Sequence, residues 1–250
     1  MTLILKPDWS LPNGVNVAFT YGYEAGQGSG YGDFNLAMHV GDAEANVLKN
    51  RERLEQELSL PAAPLWLNQV HGVEVADAHS DNDGVTADAS VGRGQGAVLA
   101  VMTADCLPVL FYSQEFGGVV GAAHAGWRGL CNGVLEATVA KMAVSPSSIS
   151  CWLGPAIGPA CFEVGSEVKA AFENLNSEAG YAFAQSGDKF LADIYLLARQ
   201  RLHALGIDNV IGGEWCTVTD ERFYSYRRSG SDKRGQAKPC GRMASLIWLS

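Results

Sequence analysis

The chain has no long apolar run. Nothing in its 250 residues approaches the roughly 18 consecutive apolar residues of a membrane span. It has no internal repeat and no low-complexity tract. Its six cysteines contain no C-x-x-C pair, and their spacing does not suggest a structural zinc knuckle. It has only five histidines and no H-x-H pair. It is short of positive charge, with 18 Lys and Arg against 27 Asp and Glu and a net charge of −9. That balance disfavours nonspecific binding to nucleic acid or to an anionic membrane. A local basic cluster could still hold an anionic substrate. The opening residues, MTLILKPDWSLPNG, have neither a basic n-region nor a small-residue cleavage site. The expectation is a cytoplasmic protein whose cysteines stay reduced.

What is present suits a globular enzyme. Hydrophobic residues make up 47% of the chain, and a chain of this length buries a large core without disulfides. Short β-branched runs bounded by Gly, Pro, Asp or Ser read as strands: VNVAF, PLWLNQV, VEVADA, GAVLAVM, LPVLFYS, GGVVGAA, SISCWLG, NVIGGEW and ASLIWLS. Helical periodicity predicts helices over 43–58, 130–142, 166–175 and 191–205, with Gly206 as a stop. Strands dominate the centre, and helices do not alternate strictly with them. An α+β arrangement in one domain over 1–250 is therefore expected, not a doubly wound parallel sheet. The Gly-rich stretch Gly22 to Gly32 reads as a mobile loop, and Arg227 to Lys238 is the most basic segment.

Three polar residues end apolar elements: His71 in Leu67-Asn68-Gln69-Val70-His71-Gly72, Cys106 in Thr103-Ala104-Asp105-Cys106-Leu107-Pro108, and His124 in His124-Ala125-Gly126-Trp127-Arg128-Gly129. Pro108 is expected to limit strand pairing there. Two imidazoles and a thiolate suit zinc, and three protein ligands leave one position open, the pattern of a catalytic site. Each residue alone is more often structural, since a lone Cys is usually a buried thiol and a lone His a hydrogen-bonded one. Asp105 is a candidate for proton transfer or for supporting Cys106, against an equal expectation that it caps a turn. Arg128 at a helix start, Arg227 in FYSYRR and Arg242 in KPCGR are candidates for phosphate. The turn-rich GPAIGPACFEV segment should shape a pocket wall, with Cys161 and Glu163 as weak catalytic candidates.

NQVHG, TADCLPVL, HAGWRG, GPAIGPACFEV, FYSYRR and GRMASLIWL together resemble the YfiH-like family, whose members carry the labels multicopper polyphenol oxidase (laccase), peptidoglycan editing factor and purine nucleoside phosphorylase. The likeness runs from FNLAMHVGD at Phe34 to the C-terminus, and Asn35 in that motif joins the candidate substrate-binding residues. The resemblance implies a layered α/β/β/α sandwich with mixed sheets and a zinc ion on His71, Cys106 and His124. It also implies phosphorolysis of adenosine, inosine and methylthioadenosine, with adenosine deamination. Purine nucleosides and phosphate are the expected partners, and a monomer or weak homodimer is the default assembly.

Three other readings compete. A His₂Cys set with a nearby Met also describes blue copper, and Met102 is close by. A multicopper cluster, however, needs many more histidines. Cys106 and His124 could form a metal-free cysteine hydrolase acting on a peptidoglycan precursor. The zinc could also serve stability alone, in a noncatalytic module.

Overall fold

The computed structural model describes residues 3–23, 30–231, 235–236 and 238–250. Most of the Gly-rich stretch (24–29) and part of the basic stretch (232–234 and 237) lie outside the described residues.

The strands are β1 (Ile4–Leu5), β2 (Val15–Thr20), β3 (Val75–Asp77), β4 (Ala89–Arg93), β5 (Val98–Thr103), β6 (Leu107–Ser113), β7 (Val119–Ala125), β8 (Ile149–Leu153), β9 (Glu163–Val164), β10 (Phe183–Ser186), β11 (Lys189–Ala192), β12 (Asn209–Gly212) and β13 (Met243–Leu249). The helices are α1 (Glu44–Leu58), α2 (Trp127–Asn132), α3 (Val134–Met142), α4 (Ser166–Glu173), α5 (Ile194–Ala204) and α6 (Tyr226–Ser229). A mixed sheet runs β12-β8-β6-β7-β4-β3, an antiparallel sheet runs β1-β2-β13-β5, and a small antiparallel sheet runs β10-β11-β9. The mixed sheet is parallel only at its edges, β12 with β8 and β3 with β4. This is the α+β sandwich that the sequence pattern and the resemblance predict.

The continuous apolar runs follow from layering. A strand covered on both faces has no reason to alternate with polar residues. In β6, Leu107, Val109 and Phe111 join a core beneath α3, α4 and α5, while Leu110 and Tyr112 join the core shared with the antiparallel sheet. In β7, Val119, Ala123 and Ala125 face the first core and Val120 and Ala122 the second. Strands β5 and β13 pack over β7 to close that second layer. Leu54 of α1 is fully buried in the same core, on the outer side.

Several boundaries differ from expectation. PLWLNQV forms no regular strand; Leu65 and Asn68 make only isolated bridges. The helix expected over 130–142 is two helices, because Gly133 sits at φ 102° between α2 and α3. The helix expected over 191–205 begins at Ile194, where the Asp193 side chain accepts a hydrogen bond from Leu196 N–H; Leu191 belongs to β11. Pro108 does not end a strand. It is the second residue of β6, opposite His124, and pairing with β8 starts one residue later at Val109.

Candidate metal centre

His71, Cys106 and His124 converge at one end of the mixed sheet, with their ligand atoms within 4.8 Å of one another. His124 is the penultimate residue of β7 and is buried. Cys106 ends the tight link from β5 to β6 and is half-buried. His71 is exposed on a loop. Its Nε2 stands 3.7 Å from Cys106 Sγ, and its ring meets that of His124 edge-on at 4.7 Å.

A residue that the sequence did not single out organises the group. Asp88 immediately precedes β4 and is fully buried. The β4–β7 register sets Ala89 opposite Ala123, which brings Asp88 beside His124. Asp88 Oδ1 lies 2.8 Å from His124 Nδ1 and accepts from His71 N–H at 2.9 Å. Its Oδ2 accepts from Val70 N–H at 3.1 Å and Gly72 N–H at 2.6 Å. One carboxylate thus wraps the His71 loop and leaves Nε2 of His124 for the site. A carboxylate behind a ligating histidine fixes its tautomer and orientation. Burial pushes the Asp88 carboxyl up, but these hydrogen bonds outweigh it and hold it below its ordinary range.

The NQVHG motif now has a local logic. Gln69 pairs with the end of β5 like a strand neighbour, donating to Met102 C=O and accepting from Met102 N–H, each at 2.8 Å. Asn68 donates to Thr86 Oγ1 at 2.9 Å. Both anchor the segment, and His71 follows at φ 62° with its ring directed into the site. Gly126 must be small, since a Cβ there would lie 2.7 Å from His71 Cδ2 and 3.0 Å from Cys106 Sγ.

Asp105 takes φ 87°, a conformation unfavourable for any residue with a Cβ. Its carboxylate offsets the cost by accepting from Thr217 Oγ1 at 2.6 Å and from Arg227 N–H at 2.7 Å. It therefore ties the Cys106 turn to two distant segments. Burial pushes the Cys106 thiol up, but His124 and His71 outweigh it and bring it down to about 6. Burial pushes the His124 imidazole down, but Cys106 and Asp88 outweigh it and raise it to about 9. The pair favours thiolate, the form that binds a metal.

The group opens into a cavity of about 290 Å³. Its apolar walls include Met102, Trp127, Ile157 and Phe162; Tyr226, Arg227, Arg242 and His39 supply polar groups. Burial, and then the charges of Arg242 and Arg51, hold His39 below the usual imidazole range. His39 and Tyr226 gave no sequence signal, because their place depends on loops meeting across the fold. Arg227 donates to the carbonyls of Cys161 (3.2 Å) and Glu163 (3.1 Å). Arg242 donates to the carbonyls of Cys240 and Gly241.

The other sequence candidates lie one step away. Arg128 is exposed and stacks over Trp127 at 4.4 Å. Asn35 is buried, and its amide is fully engaged: it donates to Ala37 C=O and Asp42 and accepts from Ala37 N–H and Arg242 N–H. Glu163 pairs with Lys189 at 2.7 Å on the surface.

Two imidazoles, a favoured thiolate and a carboxylate behind one ligand fit a transition metal ion. An α+β sandwich carrying an open His₂Cys group beside a mixed apolar and basic cavity defines a class of metal-site proteins. The chain belongs to the family described as multi-copper polyphenol oxidoreductase laccase, whose model matches residues 17–250. It is 48% identical to the purine nucleoside phosphorylase YfiH of Escherichia coli (strain K12), over the whole of both chains. It is 46% identical to a purine nucleoside phosphorylase of Pseudomonas aeruginosa, covering 100% of this chain and 99% of that one. A Neisseria meningitidis protein of the DUF152 family has a similar structure, with TM-score 0.88 and 44% identity over the whole of both chains. YlmD of Geobacillus stearothermophilus superposes with TM-score 0.82 at 30% identity, covering 95% of this chain and 92% of that one.

Proposed function

We propose that this chain is a zinc-dependent purine nucleoside phosphorylase that accepts adenosine, inosine and methylthioadenosine and also deaminates adenosine. The observation that carries this reading is the cavity itself, lined by aromatic, aliphatic and basic side chains beside a three-residue group that could hold a metal. The names of the relatives, purine nucleoside phosphorylases, support the phosphorylase part of it.

In phosphorolysis a phosphate oxygen bonds to ribose C1′, the C1′–N9 bond breaks, and the purine leaves with a proton. Trp127 and Phe162 offer surfaces for the base. Arg227 and Arg242 offer guanidinium groups for phosphate, with geometry suited to paired oxygens. Arg128 acts through Trp127, and Asn35 through the backbone of Arg242. Asp105 keeps Cys106 and Arg227 in register. In deamination, water adds to C6 and ammonia leaves. His71, Cys106 and His124 would hold the zinc, which would supply a Lewis acid and lower the pKa of water to roughly 7. Copper is the other metal that this donor set takes. Phosphorylase chemistry needs neither a membrane nor nucleic acid, and it suits a cytoplasmic monomer or weak dimer.

The test is direct. Purified zinc-loaded protein, adenosine and phosphate should give adenine and ribose 1-phosphate, with some inosine. His71→Ala, Cys106→Ala and His124→Ala should each lose both products; wild-type turnover in these variants would sink the reading. The depressed thiol of Cys106 between two imidazoles also supports a second reading, a cysteine hydrolase. That enzyme would keep its activity after exhaustive chelation and lose it on alkylation of Cys106.

A further inference from the structure

A second pair of thiols lies behind the cavity wall, outside the metal group. Cys161 and Cys216 are both half-buried and free, and Cys216 is among the groups that raise the Cys161 thiol. Both residues are fixed to the backbone of one glycine. Gly158 N–H donates to Cys216 Sγ at 3.3 Å, and Gly158 C=O accepts from Cys161 N–H at 3.0 Å. The approach is so close that a Cβ on Gly158 would sit 2.9 Å from Cys216 Cβ. Next to this contact, Thr217 N–H donates to Ala156 C=O at 3.0 Å.

Consecutive arginines of α6 clamp the same two segments. Arg227 holds the carbonyl of Cys161, and Arg228 holds those of Thr217 and Val218 at 2.6 and 2.9 Å. The two cysteines, 55 positions apart in sequence, are thus anchored at the same glycine and by neighbouring arginines. The remaining cysteines outside the metal group, Cys131, Cys151 and Cys240, are buried.

We infer that Cys161 and Cys216 are a dithiol modification site, oxidised to a reversible disulfide by small peroxides. The Cys216 thiolate attacks a peroxide oxygen; the O–O bond breaks, leaving a sulfenic acid on Cys216 and releasing hydroxide. The Cys161 sulfur then attacks the Cys216 sulfur, the S–O bond breaks, and the oxygen leaves as water with the Cys161 proton. The two thiols lose two electrons and two protons, and the peroxide is reduced to two waters. The assignment of Cys216 as attacking group follows from its hydrogen bonds. Burial pushes its thiol up, but bonds from Thr219, Gly158 and Val218 outweigh this and lower it, whereas burial and Cys216 itself raise Cys161. The cross-link ties the wall bearing Ile157 and Phe162 to the segment that anchors Asp105 through Thr217.

The experiment treats the metal-loaded, full-length protein with a few equivalents of hydrogen peroxide. Free thiols are then blocked with N-ethylmaleimide and the peptides mapped by mass spectrometry. The first product expected is a peptide pair joined through Cys161 and Cys216, lacking two hydrogens and separated by dithiothreitol. Closing this loop should raise the Tm by roughly 5 °C, reversibly. Cys161→Ser should show neither the joined peptides nor the rise. Cys216→Ser carries the same expectation, and Cys161→Ser suffices if loss of the Gly158 bond prevents the second variant from folding. Separate blocked or over-oxidised Cys161 and Cys216 peptides, a different disulfide, or oxidation of Cys106 ahead of the pair would overturn the inference.

Discussion

Replacing Asp88 by Asn exchanges one oxygen for an amide nitrogen and keeps the shape. The consequence is large because the two oxygens divide their work evenly. Oδ1 serves His71 N–H and His124 Nδ1; Oδ2 serves Val70 N–H and Gly72 N–H. If the amide nitrogen takes the Oδ2 position, two buried backbone donors face a third donor. If it takes the Oδ1 position, it faces His71 N–H and drives the proton of His124 onto Nε2, the nitrogen needed for metal. Either way two charge-assisted hydrogen bonds are lost, each contributing about 1.5–3 kcal/mol, so the expected destabilisation is roughly 3–6 kcal/mol. Metal affinity should fall about 10–100-fold, as it does when a carboxylate behind a ligand is removed. Urea unfolding of the apo-protein measures the first effect, and zinc competition against a chromogenic chelator the second. A variant within about 1 kcal/mol and threefold of wild type would refute the role given to this carboxylate.

Gly126→Ala should cut zinc affinity at least about tenfold, because the new methyl group meets both His71 and Cys106; isothermal titration checks it. Asp88 is depressed in the folded state, so its contribution is fully present above its ordinary value of 3.8 and is lost as pH falls through the lower folded value. The acid limb of an unfolding-versus-pH curve should therefore be shallower in Asp88→Asn than in wild type. Arg242→Ala should raise the KM for phosphate about tenfold or more while leaving deamination, which uses no phosphate, near the wild-type rate. Phe162→Ala should instead raise the KM for the nucleoside in both reactions, measured by product chromatography.

The strongest sequence signals came from burial on two faces. GAVLAVM, LPVLFYS and GGVVGAA read as strands because apolar side chains line both sides of them; LPVLFYS matches β6 residue by residue, whereas β5 and β7 begin two residues later than the runs and end one and two residues later. PLWLNQV carries the same composition but pairs through the Gln69 side chain, which periodicity does not reveal. Strand β4, ASVGR, was overlooked because small residues and an Arg disguise it. The grouping of the three candidate ligands was legible because each ends an apolar segment beside a turn. Asp88 was not, since its value lies in four donors supplied by other segments. Arg128 read as an anion binder from its helix start, and its side chain stacks over Trp127, a residue of the cavity wall.

The origin of the site's parts has a consequence for how such a protein can change. All three ligands and their carboxylate come from residues 71–124, whereas Ile157, Phe162, Tyr226, Arg227 and Arg242 come from beyond them. Much of the cavity wall thus comes from a stretch of chain separate from the metal group, although Met102 lies within 71–124 and His39 before it. Drift in the second stretch can retune which molecule is accepted while the first stays constant. A protein built this way can have its cavity wall altered without touching the group that could hold a metal.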